Sequence, residues 1–430
     1  MISNGIHFIT DKKNLILFWF FCCIFQHFIT QILIAEYLRA ILWRILWIID
    51  IIWTSIILIK DIYKKNINYK DKKIFLLVLF VIFTTISWLL KSPSHSPYYF
   101  FTLVTLYEQA FIFYLYAIET KIEDIKSLLK NLAFIYLCFV CFYTIISLFL
   151  YFFGYTTITL PNKTIIQMFN TDNLVAHKIR YMGIWNWCTV AALDSYLAIL
   201  LHLYLIDNNS NKIIHGLFII LESFMIYLTD TRSTFVILSF IVLSSIYFYI
   251  LKNKGAKNTL LFCKISCFIA CLLFIIYILI YKSDLVFFLI KNPEETLEVL
   301  SSGRFEMAKG IIMTVKNDLL LGKGYCNNEF IIKNYAIQHP HNIFLALLLY
   351  TGIPGIVFFS TFFIINIKCA CNRINVILQN KAKWIFILVL CIFIESMFDI
   401  CIIGAPVNIQ TLYFWLCLGL IANKGVKINE

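Results

Sequence analysis

Residues 301–355 read SSGRFEMAKGIIMTVKNDLLLGKGYCNNEFIIKNYAIQHPHNIFLALLLYTGIPG and form a long polar interruption in an otherwise apolar chain. Arg304 opens a stretch with helical periodicity, a Gly-Lys-Gly turn follows, and His339-Pro340-His341-Asn342 precedes the next apolar segment. A charged or titratable group at a membrane boundary must hold water, a partner or a substrate. We therefore expect the chemistry of this protein to lie here.

The composition around this stretch is that of an integral membrane protein. Of the 430 residues, 61% are hydrophobic and 14% are charged, whereas soluble domains have about 45–50% and about 25%. A spanning helix needs about 20 apolar residues. Twelve segments qualify: 14–34, 40–59, 74–90, 98–118, 131–152, 187–206, 213–229, 234–251, 260–281, 342–367, 384–401 and 406–423. The sequence predicts an all-α membrane protein of about twelve transmembrane helices, forming one domain over residues 1–430.

Lys and Arg residues predict the orientation, because short cytoplasmic loops retain them. With the N-terminus inside, most of them fall in inner loops, and seven of the others lie in the loop at 282–341. That loop is long enough to be exempt from the rule. Both termini are thus predicted to face the cytoplasm, with 282–341 as one large external loop. The net charge of +12 follows largely from this bias, so we predict no nucleic-acid partner.

The large external loop is predicted to contain amphipathic helices. Asn292-Pro293-Glu294-Glu295 is typical of a helix start. A second helix is predicted from apolar residues at helical spacing, namely Phe305, Ala308, Ile311, Ile312, Val315 and Leu319. Such a helix suits the membrane surface, with its polar side toward an external cavity.

Three arginines fall on the external side of the predicted topology: Arg180, Arg232 and Arg304. Arg232, in a short turn between two apolar segments, has a simple alternative interpretation as a snorkelling anchor to lipid headgroups. Facing one cavity, the three guanidinium groups would suit a diphosphate, because the planar fork binds phosphate oxygens bidentately.

The histidines have two interpretations. His341 is either an interfacial residue capping the next helix or a general base. Pro340 restricts His339 to extended backbone angles, so the two rings are expected to point differently. The Gly322-Lys323-Gly324 turn either follows a helix or cradles phosphate with its amides. No carboxylate or thiol completes a metal shell at recognisable spacing, and we predict neither metal nor cofactor.

Acidic residues within the apolar segments are functional candidates by default. They are Glu108, Asp194, Glu222, Glu395 and Asp399. Several would serve as structural partners of the arginines, and Asp399 lies near the predicted external end of its helix.

Taken in order, these motifs resemble the O-antigen ligase family of bacterial inner membranes, which shares a superfamily with O-antigen polymerases. The motifs are Arg180 with Gly183, Thr231-Arg232-Ser233, Ser302-Gly303-Arg304, Gly322-x-Gly324, His339-Pro340-His341-Asn342 and Gly352-Ile353-Pro354-Gly355. The resemblance covers residues 180–355 and extends to the rest only through span count and topology.

The resemblance implies a GT-C-like membrane glycosyltransferase that inverts configuration and uses neither metal nor nucleotide. Its donor would be an undecaprenyl-diphosphate-linked glycan and its acceptor lipid A-core, on the periplasmic face among the membrane lipids. Arg232 and Arg304 would hold the diphosphate, with Arg180 as a helper, and His341 would take the acceptor proton. His339, Asn342 and Lys323 are candidate substrate-binding residues.

Two alternatives remain open. A polymerase would use the same donor with a second lipid-linked glycan as acceptor. A flippase or other transporter would place ionisable groups near the membrane midplane, whereas the arginines and histidines here lie at the predicted external boundary.

Overall fold

A computed structural model describes most of the chain. The described residues are 11–30, 36–64, 70–91, 97–159, 165–170, 180–185, 187–208, 210–254, 304–325, 340–379, 381–398, 402 and 409–423. The predicted span 260–281 and the predicted helix start at Asn292 lie outside them, as do His339 and Asp399.

The described residues are mainly helical. The helices are α1 (Lys12–Ile24), α2 (Glu36–Tyr63), α3 (Lys72–Lys91), α4 (Pro97–Tyr107), α5 (Leu115–Glu119), α6 (Ile122–Phe152), α7 (Cys188–Asp207), α8 (Lys212–Thr229), α9 (Arg232–Lys254), α10 (Arg304–Val315), α11 (Ile343–Asn372), α12 (Ile374–Gln379), α13 (Lys383–Glu395) and α14 (Ile409–Ala422). π-helical segments occupy Phe25–Thr30 and Glu108–Tyr114, and a 3₁₀ turn occupies Gly183–Trp185. Four short strands, β1 (Thr157–Thr159), β2 (Ile165–Gln167), β3 (Phe169–Asn170) and β4 (Arg180–Tyr181), form two antiparallel pairs.

Seven stretches of the described chain are long and apolar enough to cross a membrane. They are Ile41–Tyr63, Lys72–Lys91, Phe100–Glu119, Ile122–Phe152, Cys188–Asp207, Lys212–Thr229 and Ile343–Asn372. The shorter apolar helices Ser233–Phe248 and Ile409–Ala422 coincide with two further predicted spans. The prediction of an α-helical membrane protein is confirmed, while the number twelve stays a prediction.

The chain divides into two compact units. The first comprises Met1–Ile125, Glu306–Ala370 and Ser396–Glu430, and the second Lys126–Phe305 and Cys371–Glu395. The single domain over residues 1–430 stays a prediction.

In the first unit, polar contacts join helix ends that the charge bias assigns to the cytoplasm. Lys12 at the start of α1 forms ion pairs with Asp61 at 2.8 Å and with Glu119 at 3.5 Å. Lys73 at the start of α3 donates to the carbonyl of Ala422, the last residue of α14, at 3.0 Å. These ends therefore lie at one end of the unit.

Close helix packing in the first unit depends on a glycine. A Cβ added to Gly419 in α14 would lie 2.6 Å from the carbonyl oxygen of Tyr114 and 2.7 Å from the Cβ of Ala117. Small residues allow such approach between membrane helices. The buried Tyr114 hydroxyl donates to Oδ1 of Asn366 at 2.8 Å, which ties α11 to the same cluster.

In the second unit, α7 and α8 form an antiparallel helical hairpin across residues 208–211. Asn211 caps α8, since its Oδ1 accepts from the amide of Ile213 at 3.1 Å. At the same end, Lys383 at the start of α13 pairs with Asp207 at 2.9 Å. The start of α7, the end of α8 and the end of α13 therefore lie at the opposite end of this unit.

Candidate active site

The turn before Arg232 is held by side chains of the second unit. Asp230 takes a left-handed conformation with φ 45°, which Asp adopts more readily than most residues. Thr234 Oγ1 donates to the carbonyl of Thr231 at 2.6 Å, and Ser233 Oγ donates to Oε1 of Glu395 at 3.0 Å. Arg232 is the first residue of α9, and its side chain lies outside the described part of the structure.

Arg180 lies on β4, near the start of α7. Its Nη1 approaches Sγ of Cys188 at 3.9 Å, and its Nε is buried without a hydrogen-bond partner among the described residues. A buried donor of this kind calls for a partner, protein or otherwise.

The segment that carries Arg180 is fixed onto α6. The hydroxyl of Tyr181 donates to the carbonyl of Ser147, and the amide of Ile184 donates to Oγ of Ser147 at 3.1 Å. Burial raises the pKa of Tyr181 above its usual range, so this hydroxyl stays a donor. Gly183 has φ 59°, and a Cβ there would lie 2.5 Å from Oγ of Ser147. Only glycine fits this conformation and this approach without strain.

Two of the acidic candidates are structural anchors in the same unit. Asp194, fully buried on α7, accepts from Nε1 of Trp185 at 2.9 Å and from the hydroxyl of Tyr136 at 2.7 Å. Glu222 on α8 accepts from Oγ1 of Thr144 at 2.8 Å. Asp194 thus joins the 3₁₀ turn after Arg180 to α6 and α7.

Arg304 is the exposed first residue of α10, as the sequence predicts. The predicted apolar face extends too far along the chain, to Leu319. Ile311 and Val315 are buried, but Ile312 is 54% exposed and Leu319 is 44% exposed. The helix ends at Val315, so Leu319 does not continue its face, and the buried face runs through Met307 instead of Ile312.

The Gly322-Lys323-Gly324 segment is a turn, with φ 66° at Gly322 and φ 105° at Gly324. Asp318 forms ion pairs with Lys323 at 2.5 Å and with Lys91 at 2.7 Å. Hydrogen bonds from Lys323 and then Lys91 hold the pKa of Asp318 below its usual range. These contacts favour the structural interpretation of Lys323, and substrate binding by Lys323 stays a prediction.

His341 lies two residues before α11, in a left-handed conformation with φ 42°. Such a conformation costs about 1–3 kcal/mol and persists where the surroundings impose it. Asn342 supplies that constraint as the helix cap, since its Oδ1 accepts from the amides of Phe344 at 2.9 Å and Leu345 at 3.2 Å.

The start of α11 is also tied to the segment after α13. Nδ2 of Asn342 donates to the carbonyl of Met397 at 2.9 Å, and the amide of Ile343 donates to that of Ser396 at 2.7 Å. Both ends of the Asn342 carboxamide are therefore engaged in holding the backbone beside His341.

The predicted site residues that the structure describes fall into two groups, and Arg304 belongs to the second unit. Arg180 and Arg232 lie at the same end of the second unit, where the start of α7 meets the end of α8. Lys323, His341 and Asn342 belong to the first unit. Convergence of the arginines and the imidazole on one pocket stays a prediction. Among the described residues, no group of three or more His, Cys, Asp or Glu side chains is arranged for a metal ion.

Three residues that hold the candidate site in place were not predicted from the sequence. They are Asp318, Ser233, which donates a hydrogen bond to Glu395, and Ser87 on α3. Lys323, five residues after Asp318, was a local signal for a carboxylate partner. No local pattern indicates the other two, because their partners are more than 150 residues away in the chain.

No curated protein matches the chain. Residues 217–360 match a family model described as O-antigen ligase, and this region contains Arg232, Arg304, Lys323 and His341. Members of that family are membrane glycosyltransferase-like enzymes. The match at residues 217–360 supports an assignment to the O-antigen ligase family.

Proposed function

We propose that this protein is an O-antigen ligase. It transfers a glycan from undecaprenyl diphosphate to a sugar hydroxyl of lipid A-core, at the periplasmic face of the bacterial inner membrane, with both termini in the cytoplasm. The observation that carries the proposal is the family match at residues 217–360, which includes Arg232, Arg304 and His341.

The arginines serve the donor. Arg232 and Arg304 bind the diphosphate and stabilise the charge that develops as it leaves, because a planar guanidinium matches phosphate oxygens. Opposite unit charges 4 Å apart interact by about 4 kcal/mol at an effective dielectric constant near 20. Arg180 assists, and its buried Nε, which has no hydrogen-bond partner among the described residues, supports an oxygen ligand there.

His341 serves the acceptor. Its imidazole takes the hydroxyl proton while the acceptor oxygen attacks the anomeric carbon from the face opposite the diphosphate. The new bond joins that oxygen to the anomeric carbon, and the bond from the anomeric carbon to the phosphate oxygen breaks, so configuration inverts. A positioned base contributes about 10²–10⁴-fold. The cap formed by Asn342 supports a fixed place for this imidazole.

The lipids of cells that lack the protein test this function and separate it from its alternatives. Loss of a ligase leaves polymerised glycan on the lipid carrier and bare lipid A-core. Loss of a polymerase leaves lipid A-core capped by single repeat units. Loss of a flippase keeps lipid-linked glycan on the cytoplasmic side.

Complementation sharpens the result. Wild-type protein should restore capped lipid A-core, whereas Arg232→Ala protein at equal membrane abundance should not. Single-unit capping in the deletion strain would overturn the ligase assignment in favour of the polymerase.

A further inference from the structure

Helix α11 is broken inside its apolar stretch. Gly352 has φ 70° and ψ −164°, a conformation open essentially only to glycine. Pro354 follows and has no amide hydrogen. In a regular helix the amide of Ile353 would bond the carbonyl of Leu349, and the amide of residue 354 that of Tyr350. The break therefore removes the ordinary partners of two carbonyls.

The 318–324 turn and α3 supply the replacements. The amide of Lys323 donates to the carbonyl of Leu349 at 2.6 Å, and the amide of Ile353 donates to that of Leu319 at 2.8 Å. Ser87 Oγ lies 2.5 Å from the carbonyl oxygen of Tyr350. Irregular backbone at membrane depth is tolerated where it is buried in protein, as here, or where it lines a water-filled cavity.

Ser87 bridges the two chain segments. Its Oγ also lies 2.6 Å from the carbonyl oxygen of Leu321, so its one hydrogen is shared between the turn and the helix. Lys91, one helical turn further along α3, pairs with Asp318 at 2.7 Å. One face of α3 therefore contacts the start of the turn at Asp318 and its middle at Leu321.

The turn and the break touch backbone to backbone. A Cβ on Gly322 would lie 2.5 Å from the carbonyl oxygen of Leu349 and 2.8 Å from the amide nitrogen of Thr351. A Cβ on Gly352 would lie 2.8 Å from the carbonyl carbon of Leu320. No side chain other than hydrogen fits at either position without displacing the backbone.

This arrangement holds the first part of α11, residues 343–351, at both ends. Its start is fixed by the hydrogen bonds of Asn342 and Ile343 to the carbonyls of Met397 and Ser396, at 2.9 Å and 2.7 Å. Its far end is fixed by Ser87 and the amide of Lys323. His341 precedes this segment by two residues, with Asn342 between them.

We propose that Ser87 is a positioning residue for glycan transfer: by joining the 318–324 turn to the break in α11, it fixes the helical segment that begins two residues after His341. The inference rests on the proposed function for its catalytic consequence, but the joint itself is measurable without catalysis. A displacement of about 1 Å in a reacting group is enough to cost about 10²-fold in rate.

The test compares Ser87→Ala with Thr84→Val in purified full-length protein. Thr84 is a matched control, because it is also buried on α3 but its hydroxyl donates within its own helix, to Val81, at 2.8 Å. Hydrogen exchange measures how fast the backbone amides of residues 319–324 and 349–353 exchange with solvent. Transfer from lipid-linked donor to lipid A-core gives kcat and KM.

Ser87→Ala should speed exchange in both segments and lower kcat about 10²-fold with little change in the KM for donor, while Thr84→Val changes neither. Ser87→Thr, which keeps the hydroxyl, should recover part of kcat.

Unchanged exchange in Ser87→Ala would show that Ser87 does not join the turn to α11. Faster exchange with unchanged kcat would overturn the positioning role and leave the proposed function intact. A wild-type protein without transfer activity would overturn the proposed function, and the catalytic role of Ser87 with it.

Discussion

Ser233, the residue after Arg232, donates a hydrogen bond from its hydroxyl to Oε1 of Glu395 at 3.0 Å. Glu395 is only 3% exposed and is the last residue of α13. The bond fixes the first turn of α9 against α13 within one unit, and so fixes the backbone from which Arg232 extends. Glu395, which the sequence marks only as a functional candidate, therefore has a defined structural contact with Ser233.

Glu395→Ala should lower transfer activity and stability, because Ser233 loses a buried acceptor. Loss of one partner of a buried hydrogen bond costs about 1–3 kcal/mol. Glu395→Gln keeps a carbonyl oxygen for Ser233 and should retain most of both properties. Transfer rates and thermal unfolding of the purified variants check this. Ser239→Ala serves as control, since its hydroxyl bonds only the carbonyl of Phe235 in the same helix among the contacts of the described structure. Equal losses in the Gln and Ala variants would contradict the account.

Asn342→Ala should reduce both stability and kcat. Removal of a helix cap costs about 0.5–2 kcal/mol, and here the cap also holds the backbone beside His341. Asn211 is a matched control, because its Oδ1 caps α8 with bonds of 3.1 Å and 3.4 Å at the other predicted membrane face. Asn211→Ala should lose a similar amount of stability and keep its kcat. The idea fails if the two variants have the same kcat.

Asp194→Ala should destabilise the segment 180–185. It leaves the buried Trp185 indole and Tyr136 hydroxyl without the acceptor that they share, at about 1–3 kcal/mol for each group. Asp194→Asn keeps one acceptor oxygen and should be intermediate. Thermal unfolding in detergent ranks the stability of wild type, Asp194→Asn and Asp194→Ala. Limited proteolysis shows whether the loop before α7 becomes more accessible to protease. An unfolding temperature of Asp194→Ala equal to that of wild type would contradict the structural role of Asp194.

The ion pairs of Asp318 should make the 318–324 turn sensitive to acid. The pKa of Asp318 is held below its ordinary value by Lys323 and Lys91, so its stabilising contribution is complete above about pH 4, the ordinary range of an aspartate. The contribution disappears as the pH falls through the lowered value. The difference in unfolding temperature between wild type and Asp318→Asn should therefore be largest near neutral pH and vanish in strong acid. A difference that grows on acidification would contradict this sign.

Hydropathy and charge predict much of this fold, because membrane insertion is governed by local composition. The predicted spans 187–206 and 213–229 match Cys188–Asp207 and Lys212–Thr229 within one residue at each end. The predicted span 131–152 begins late, since α6 starts at Ile122. Its first turns carry Glu123, Asp124 and Lys126, which hydropathy excludes from a span although they are compatible with a helix.

Sequence reasoning places the polar candidates but not their contacts. It predicts a turn at Gly322-Lys323-Gly324 and a helix start at Arg304, because both have local signatures. It does not predict the break at Gly352, whose stability comes from Ser87 and the 318–324 turn. Those contacts join distant parts of the chain, and periodicity carries no information about them.

Reconstituted transfer tests most directly whether Arg232 and His341 perform glycan transfer. Purified protein in liposomes receives labelled undecaprenyl-diphosphate-linked glycan and lipid A-core, and labelled lipid A-core is measured. Wild-type protein should transfer label. Arg232→Ala should lose about 10²–10³-fold and His341→Ala about 10²–10⁴-fold, and Arg232→Lys should rescue poorly because the bidentate fork is lost. Full transfer by the His341→Ala protein, or no transfer by the wild type, would contradict the account.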